Sequence, residues 1–488
     1  MVKMKILMLN PPFKHKYSRS SRSPAVTKGG TIYYPLWLAY ATAALEKEGF
    51  EAKLIDAPAE NLSFEDVLKV TEEFKPDLIV SETSTASIYS DVEIATKLKK
   101  ATNAFLVLVG THPSALPEET LKISGEIDAI AIHEYDYTLR EIAQKIQAKK
   151  LNLEMITGIA YQKNGKIFKN KDRELIENLD EIPFVSAVYK KHLNIKNYFY
   201  SANLYPEITI VTGRGCPYQC KFCVWPQVLQ GQAYRKRSIE NVFEEFKYIK
   251  ETFPEAKEIF IEDDTFTADR ERVKKFCDLL IKNSLKITWS CNSRADVDLE
   301  TLQKMKQAGC RLLCVGVESG SQEILNNIRK GTTIEGIKKF MKDSKKAGIL
   351  VHGCFMLGNQ GETKETIRKT IEFAKELNPD TAQFFPIMVY PGTETYEEFK
   401  KSGFLTTNKF DEWLTKDGQH NSIISRPGLS NYELVELCDE ARREFYLRPK
   451  YIFSKIKQAF LHPKEFVRIA KASKTFFKYL FNKKEKQD

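Results

Sequence analysis

Short apolar strand candidates alternate with helical segments twice along this chain, on either side of a break near residues 150–205, and no other feature restricts the fold as much. The first series has strand candidates at Lys5–Leu9, Ala52–Ile55, Asp77–Val80, Phe105–Val109 and Ala129–Ile132. Helical patterns lie between them, such as Pro35–Glu48, which Gly49 ends. Such a series predicts a doubly wound parallel sheet over 1–150, a nucleotide- or cofactor-binding architecture. Residues 151–205 break the rhythm: Asn164-Gly165 between two short strands signals a hairpin, and Asp180-Glu-Ile-Pro183 reads as a linker. From residue 206 strands are expected at 208–212, 258–262, 287–291, 312–317, 350–356 and 382–387. Six such units predict a partial (β/α)6 barrel over 206–392, because polar residues recur at the strand ends that form a barrel's active face. An open sheet is the alternative. Residues 393–488 read as helical, ending in a basic tail.

At 488 residues the chain is too long for a single ordinary core, and 42% apolar residues exclude general disorder. It shows no secretory leader pattern and no apolar run of about 18 residues, so a cytoplasmic location is expected, with peripheral contact at the inner face of a membrane. The net charge of +10 is concentrated: residues 441–488 carry 14 Lys/Arg against 4 Asp/Glu, so the rest of the chain is neutral.

None of the nine cysteines precedes Cys216, and three then fall in eight residues: Gly213-Arg-Gly-Cys216-Pro-Tyr-Gln-Cys220-Lys-Phe-Cys223. A cubane iron–sulfur cluster takes one thiolate per iron, so three cysteines on one loop would leave one iron open to an exogenous ligand. Structural zinc prefers four ligands in paired knuckles, and no second Cys/His pair follows. Cys310 and Cys314, with no third cysteine nearby, read as small core residues.

The x3, x2 spacing with Phe222 before the last cysteine resembles the defining motif of the radical S-adenosylmethionine (SAM) superfamily. The resemblance implies that Cys216, Cys220 and Cys223 hold a catalytic [4Fe-4S] cluster whose open iron chelates SAM, which one electron splits to a 5′-deoxyadenosyl radical. Later strand ends resemble the superfamily's SAM-contacting motifs. Ile261-Glu262-Asp263-Asp264 implies a carboxylate for the methionine amino group, with Asp263 or Asp264 favoured. Ser293 and Arg294 are implied for the adenosyl portion and the carboxylate, Glu318 and Ser319 for the ribose, and Gly358 for the adenine side.

Nearly the whole chain resembles members with an N-terminal cobalamin-binding-like domain, through Asn10-Pro-Pro12, Gly110-Thr-His-Pro113, the hairpin and Tyr390-Pro-Gly-Thr393. Cobalamin is then an implied cofactor, with Ser81, Thr83, Gly110, Thr111 and His112 as candidate contacts, although the Asp-x-His-x-x-Gly signature of a lower cobalt ligand is absent. Cys223-Val-Trp225-Pro226-Gln227 is similar to members that modify hopanoid and tetraether lipids. That similarity implies hydrogen abstraction from an unactivated carbon of a membrane lipid, leading to C–C bond formation, cyclisation or rearrangement. The alternative is a cobalamin-dependent radical C-methyltransferase. A tRNA methylthiotransferase is disfavoured because residues 1–215 hold no cysteine for a second cluster, and a non-catalytic binding role because the strand-end motifs are intact. Expected partners are a hydrophobic or lipid substrate and a one-electron donor such as flavodoxin or ferredoxin, with no nucleic acid. The aromatics interleaved with Lys/Arg in 441–488, among them Phe445, Tyr446, Tyr451, Phe453, Phe460, Phe476 and Phe481, suit an interfacial helix on anionic lipid.

Overall fold

The computed structural model describes residues 3–461 and Phe466. The remainder of the basic tail, including Phe476 and Phe481, lies outside the described residues.

Strands β1 (Lys5–Asn10), β2 (Glu51–Asp56), β3 (Leu78–Thr83), β4 (Phe105–Gly110) and β5 (Ala129–Ala131) form the parallel part of a sheet ordered β2-β1-β3-β4-β5. Their near-continuous apolar runs are those of strands covered on both faces; Leu78, Ile79, Val80 and Leu106–Val109 are fully buried. Chain order reverses between β1 and β3, so the crevice at their carboxyl ends is the switch point where such sheets take ligands. The expected hairpin is present as β6 (Ile159–Lys163) and β7 (Lys166–Lys169), with Asn164 and Gly165 both at positive φ, the requirement of a two-residue type I′ turn. It pairs antiparallel with β5, so it extends the first sheet instead of standing apart with the linker.

The second sheet is built from β8 (Glu207–Ile210), β11 (Glu258–Ile261), β12 (Trp289–Ser293), β13 (Cys310–Glu318), β14 (Leu350–Leu357) and β15 (Thr381–Pro386), all parallel and adjacent in chain order. It is the expected incomplete barrel. A two-residue ladder, β9 (Gly213–Arg214) with β10 (Arg235–Lys236), closes the cysteine loop. Side chains alternate across each strand, so positions two apart share the barrel interior: 314, 316 and 318 on β13, and 352, 354 and 356 on β14, line one cavity.

The two sheets are stitched together at that loop. Arg214, whose side chain is 2% exposed, donates to both carboxylate oxygens of Asp136 at 2.8 and 3.1 Å, while Arg235 pairs with Glu134. Tyr40 of the helix Leu36–Lys47 donates its hydroxyl to Val211 O and accepts from Val211 N–H. Removing one member of a buried pair leaves the other charge uncompensated, a loss of about 3–5 kcal/mol. Asp136→Ala should therefore lower the urea midpoint of the full chain sharply, whereas Asp136→Leu combined with Arg214→Met should recover most of it. Equal losses in both would show that the pair is not the anchor.

Candidate active site

One cavity of about 830 Å³ opens at the carboxyl ends of the barrel strands, and Cys216, Cys220, Phe222 and Cys223 all face it. The cysteine loop is held by the chain around it. Gln227 donates its amide to the carbonyls of Cys220, Lys221 and Cys223 at 3.0–3.2 Å, Gly215 N–H donates to Gln230 Oε1 at 2.9 Å, and Cys216 N–H to Gly231 O at 3.3 Å. Gly215 lies at φ +84°, where a Cβ would stand 2.2 Å from Ala233 O, so only glycine fits. Burial, reinforced by the neighbouring Asp264, pushes the Cys216 thiol up to about 11 and raises Cys223 well above the ordinary cysteine value. A cationic centre would offset the desolvation of these two thiolates.

Among the described residues, the one group of three Cys/His/Asp/Glu whose ligand atoms lie within 4.8 Å of one another is Cys314, His352 and Cys354. The motif sulfurs are therefore spread more widely than the roughly 3.8 Å that a tetrahedral zinc with bonds of about 2.3 Å imposes. Three spaced thiols on a preformed loop suit the corners of a cubane, so the residues present fit the cluster.

The strand-end residues divide according to the alternation of side chains. Glu262 and Asp264 face the cavity, and Asp264 Oδ2 is buried without a hydrogen-bond partner, an acceptor available to an amino group. Asp263 points the other way, its carboxylate accepting from Thr212 N–H, Thr212 Oγ1 and Tyr234 OH at 2.6–2.9 Å; as one of the two favoured carboxylates it does not reach the cavity. Ser293 and Arg294 line the cavity, with Arg294 buried over the Tyr218 ring and donating to Asp296 and to Lys330 O. Glu318 also faces in, following a register shift after Gly316, and its carboxylate accepts from Lys330 Nζ at 2.8 Å. Ser319 is turned into the core, where its hydroxyl meets Thr370 Oγ1, and Gly358 packs under Leu434; neither lines the cavity.

Sequence reasoning missed Arg22 and Lys330. Arg22 reaches from the segment after β1, stacks 4.0 Å over Trp225, pairs with Glu262 and Asp264, and donates to the carbonyls of Glu262 and Asp263. No local pattern marks it, because its partners are some 240 residues away in the chain. Cys314 was also misread: Cys310 is a core residue, but Cys314 lines the cavity.

The five candidate cobalamin contacts are gathered at the carboxyl edge of the first sheet, yet none lines this cavity. Ser81 and Thr83 are buried, and Thr83 Oγ1 donates to Val109 O. Gly110 at φ +121° abuts Thr83 O; Thr111 and His112 begin the short helix that follows. Burial lowers His112 to about 3, and its ring meets Phe410 edge-on at 4.6 Å. The switch-point crevice is filled by Tyr17 on Ser84, Ser20 on Glu82, and a buried Arg19–Asp91 pair. The Ser81 hydroxyl, buried without a partner, is chemistry that a polar group on a corrin could satisfy. The edge is nevertheless closed over by residues 13–23 and by Phe410–Trp413.

This edge lies against the cysteine loop: His133 Nδ1 is 2.6 Å from Val228 O, and Trp37 packs edge-on against Trp225 at 4.9 Å.

Comparison with known proteins agrees with this geometry. A model of the Radical SAM superfamily matches residues 210–374, and one of the B12 binding domain matches residues 22–143. An uncharacterized methyltransferase of Pyrococcus horikoshii is 34% identical over 94% of this chain and 95% of its own length. Cytidylyl-2-hydroxyethylphosphonate methyltransferase of Streptomyces wedmorensis is 26% identical over 93% of this chain and 92% of its own. Among solved structures, the radical SAM methyltransferase TsrM of Kitasatospora setae superposes with a TM-score of 0.72 at 20% identity, covering 90% of each chain. The cobalamin-dependent SAM radical enzyme OxsB gives 0.63 at 19%, covering 91% of this chain and 62% of its own. The chain belongs to the radical SAM superfamily as an enzyme that carries a B12-binding domain, with a [4Fe-4S] cluster, SAM and cobalamin as its cofactors.

Proposed function

We propose that this enzyme is a cobalamin-dependent radical C-methyltransferase acting on an unactivated carbon of an apolar substrate. The observation that carries the reading is the one cavity shared by the three motif cysteines, the polar side chains at the carboxyl ends of β11–β13 and an apolar wall. That wall includes Phe385, Met388, Leu447, Tyr451, Ile452 and Ile456. Methyl transfer is favoured over ring formation or rearrangement by the B12-binding domain and by the methyltransferase names of the full-length relatives. When bound, the cluster supplies the electron that cleaves SAM, and cobalamin supplies a methyl carrier.

The chain's own part is binding, orientation and exclusion of water. Cys216, Cys220 and Cys223 hold the cluster. Asp264 accepts from the SAM amino group, with Arg22 preventing its neighbour Glu262 from standing as a bare buried charge. Arg294 and Glu318 supply the polar contacts to the rest of SAM, Glu318 being set in place by Lys330. The helix Pro449–Leu461 covers the apolar end, where a hydrophobic chain would lie.

No helix among the described residues is long and apolar enough to cross a membrane. The aromatic tail divides in two. Phe445 and Tyr451 dock on the barrel, and Tyr446 donates its hydroxyl to Ala382 O, while Phe453, Phe460 and Phe466 are 72%, 84% and 58% exposed. We read the exposed set as a peripheral lipid contact beside the cavity mouth, by which a membrane-derived substrate enters.

Three outcomes test these readings. With SAM labelled on its methyl carbon, reductant and cobalamin, the reconstituted enzyme should transfer label to an apolar extract and release 5′-deoxyadenosine, and Cys220→Ala should do neither. If 5′-deoxyadenosine forms with no methyl transfer, ring formation or rearrangement is the better reading. Phe410→Ala should open the carboxyl edge of the first sheet and tighten hydroxocobalamin binding about tenfold, since a closed form lowers apparent affinity by its population; an unchanged dissociation constant would remove Phe410 as the cover. Phe453→Ser with Phe460→Ser should weaken co-flotation with anionic vesicles, as each buried Phe contributes about 1.5–3 kcal/mol, and undiminished flotation would end the lipid-contact idea.

A further inference from the structure

Cys314, His352 and Cys354 stand apart from the motif cysteines, on the inner faces of β13 and β14, and the functions assigned above make no use of them. Cys314 is in register with His352 across the parallel ladder, and Cys354, two residues further along β14, points to the same side. One ligand atom from each lies within 4.8 Å of the other two.

The sulfurs of Cys314 and Cys354 are 3.9 Å apart. A tetrahedral centre with metal–sulfur bonds of about 2.3 Å places two sulfurs about 3.8 Å apart, so this pair already has the bite of a zinc site. Supporting contacts match what metal ligands need. Thr381 Oγ1 is 2.7 Å from His352 Nδ1 and fixes the ring, and Tyr200 OH is 3.0 Å from Cys314 Sγ, placed to donate to a thiolate.

We propose that these three residues bind one zinc-class divalent cation as a Cys2His site inside the reaction cavity, separate from the cluster. Binding releases the two thiol protons to solvent. Three protein ligands leave a fourth position, and because all three residues line the cavity, that position opens to it. The ligand taken there is water or an oxygen or nitrogen donor of the substrate. An otherwise apolar molecule would then be held by one polar end while its reacting carbon faces the cluster.

The test uses the full-length protein, anaerobically purified, with its cluster reconstituted and zinc chloride added at one equivalent before desalting. Elemental analysis should find about one zinc per chain beside the full iron complement, and zinc-edge X-ray absorption should show two sulfur neighbours at about 2.3 Å and one nitrogen at about 2.0 Å. Cys354→Ser and His352→Ala should each lose zinc at least about tenfold while keeping iron, and Cys220→Ala should lose iron while keeping zinc. Retained iron, with an unchanged urea midpoint, reports that the zinc variants are folded. Zinc well below stoichiometric in the iron-loaded wild type would overturn the proposal without recourse to any variant. So would zinc that survives Cys354→Ser, or a Cys314–Cys354 disulfide found by mass spectrometry in the anaerobic protein.

Discussion

The site depends on a buried ion pair between two sheets. Arg214 stands two residues before the first motif cysteine, yet its partner Asp136 belongs to the opening helix turn after β5 of the other sheet. Two charges this deeply buried are tolerated because the contact is bidentate and short. The position of the cysteine loop is consequently set from outside the barrel, and Arg235 with Glu134 repeats the arrangement at the loop's far end. The enzyme does not couple two independent modules through a linker; the sheet that carries the B12-binding domain helps build the mouth of the barrel.

The closed edge of that sheet follows from the same economy of polar groups. Glu82, Asp91 and Asp56 are buried at or near its carboxyl end, and burial raises Glu82 and Asp56 to about 7. Arg19, Ser20 and Tyr198 supply the hydrogen bonds that make such burial bearable. Tyr17, Arg19 and Ser20 therefore fill the switch point with polar groups that pair with Ser84, Asp91 and Glu82.

Much of this was legible in the sequence, for physical reasons that also explain the failures. Parallel strands covered on both faces betray themselves as apolar runs, and a three-thiol loop has few uses, so both sheets and the cysteines could be read directly. The carboxylates that follow β11 could not: Glu262, Asp263 and Asp264 look equivalent in a string, and only the alternation of side chains in space sends Asp263 to Thr212 and Tyr234 while its neighbours face the cavity. Ser319 beside Glu318 failed in the same way. Arg22, Lys330 and the Cys314–His352–Cys354 group were invisible because each acquires meaning through a partner on another strand or a distant loop. The hairpin was legible from Asn164-Gly165, but its attachment to β5 was not, since a turn signal does not say which edge its strands will join.

The cavity wall runs from Ser21 to residues beyond Ile452, and this has a consequence for how the protein is made. On a ribosome the motif cysteines emerge long before Tyr451 and Ile456, the intervening chain taking on the order of tens of seconds to synthesise. During that interval the apolar cover of the cavity does not yet exist. A cell thus has an interval in which an assembly factor, and oxygen, meet the thiols without that cover, and docking of the last helix narrows the approach.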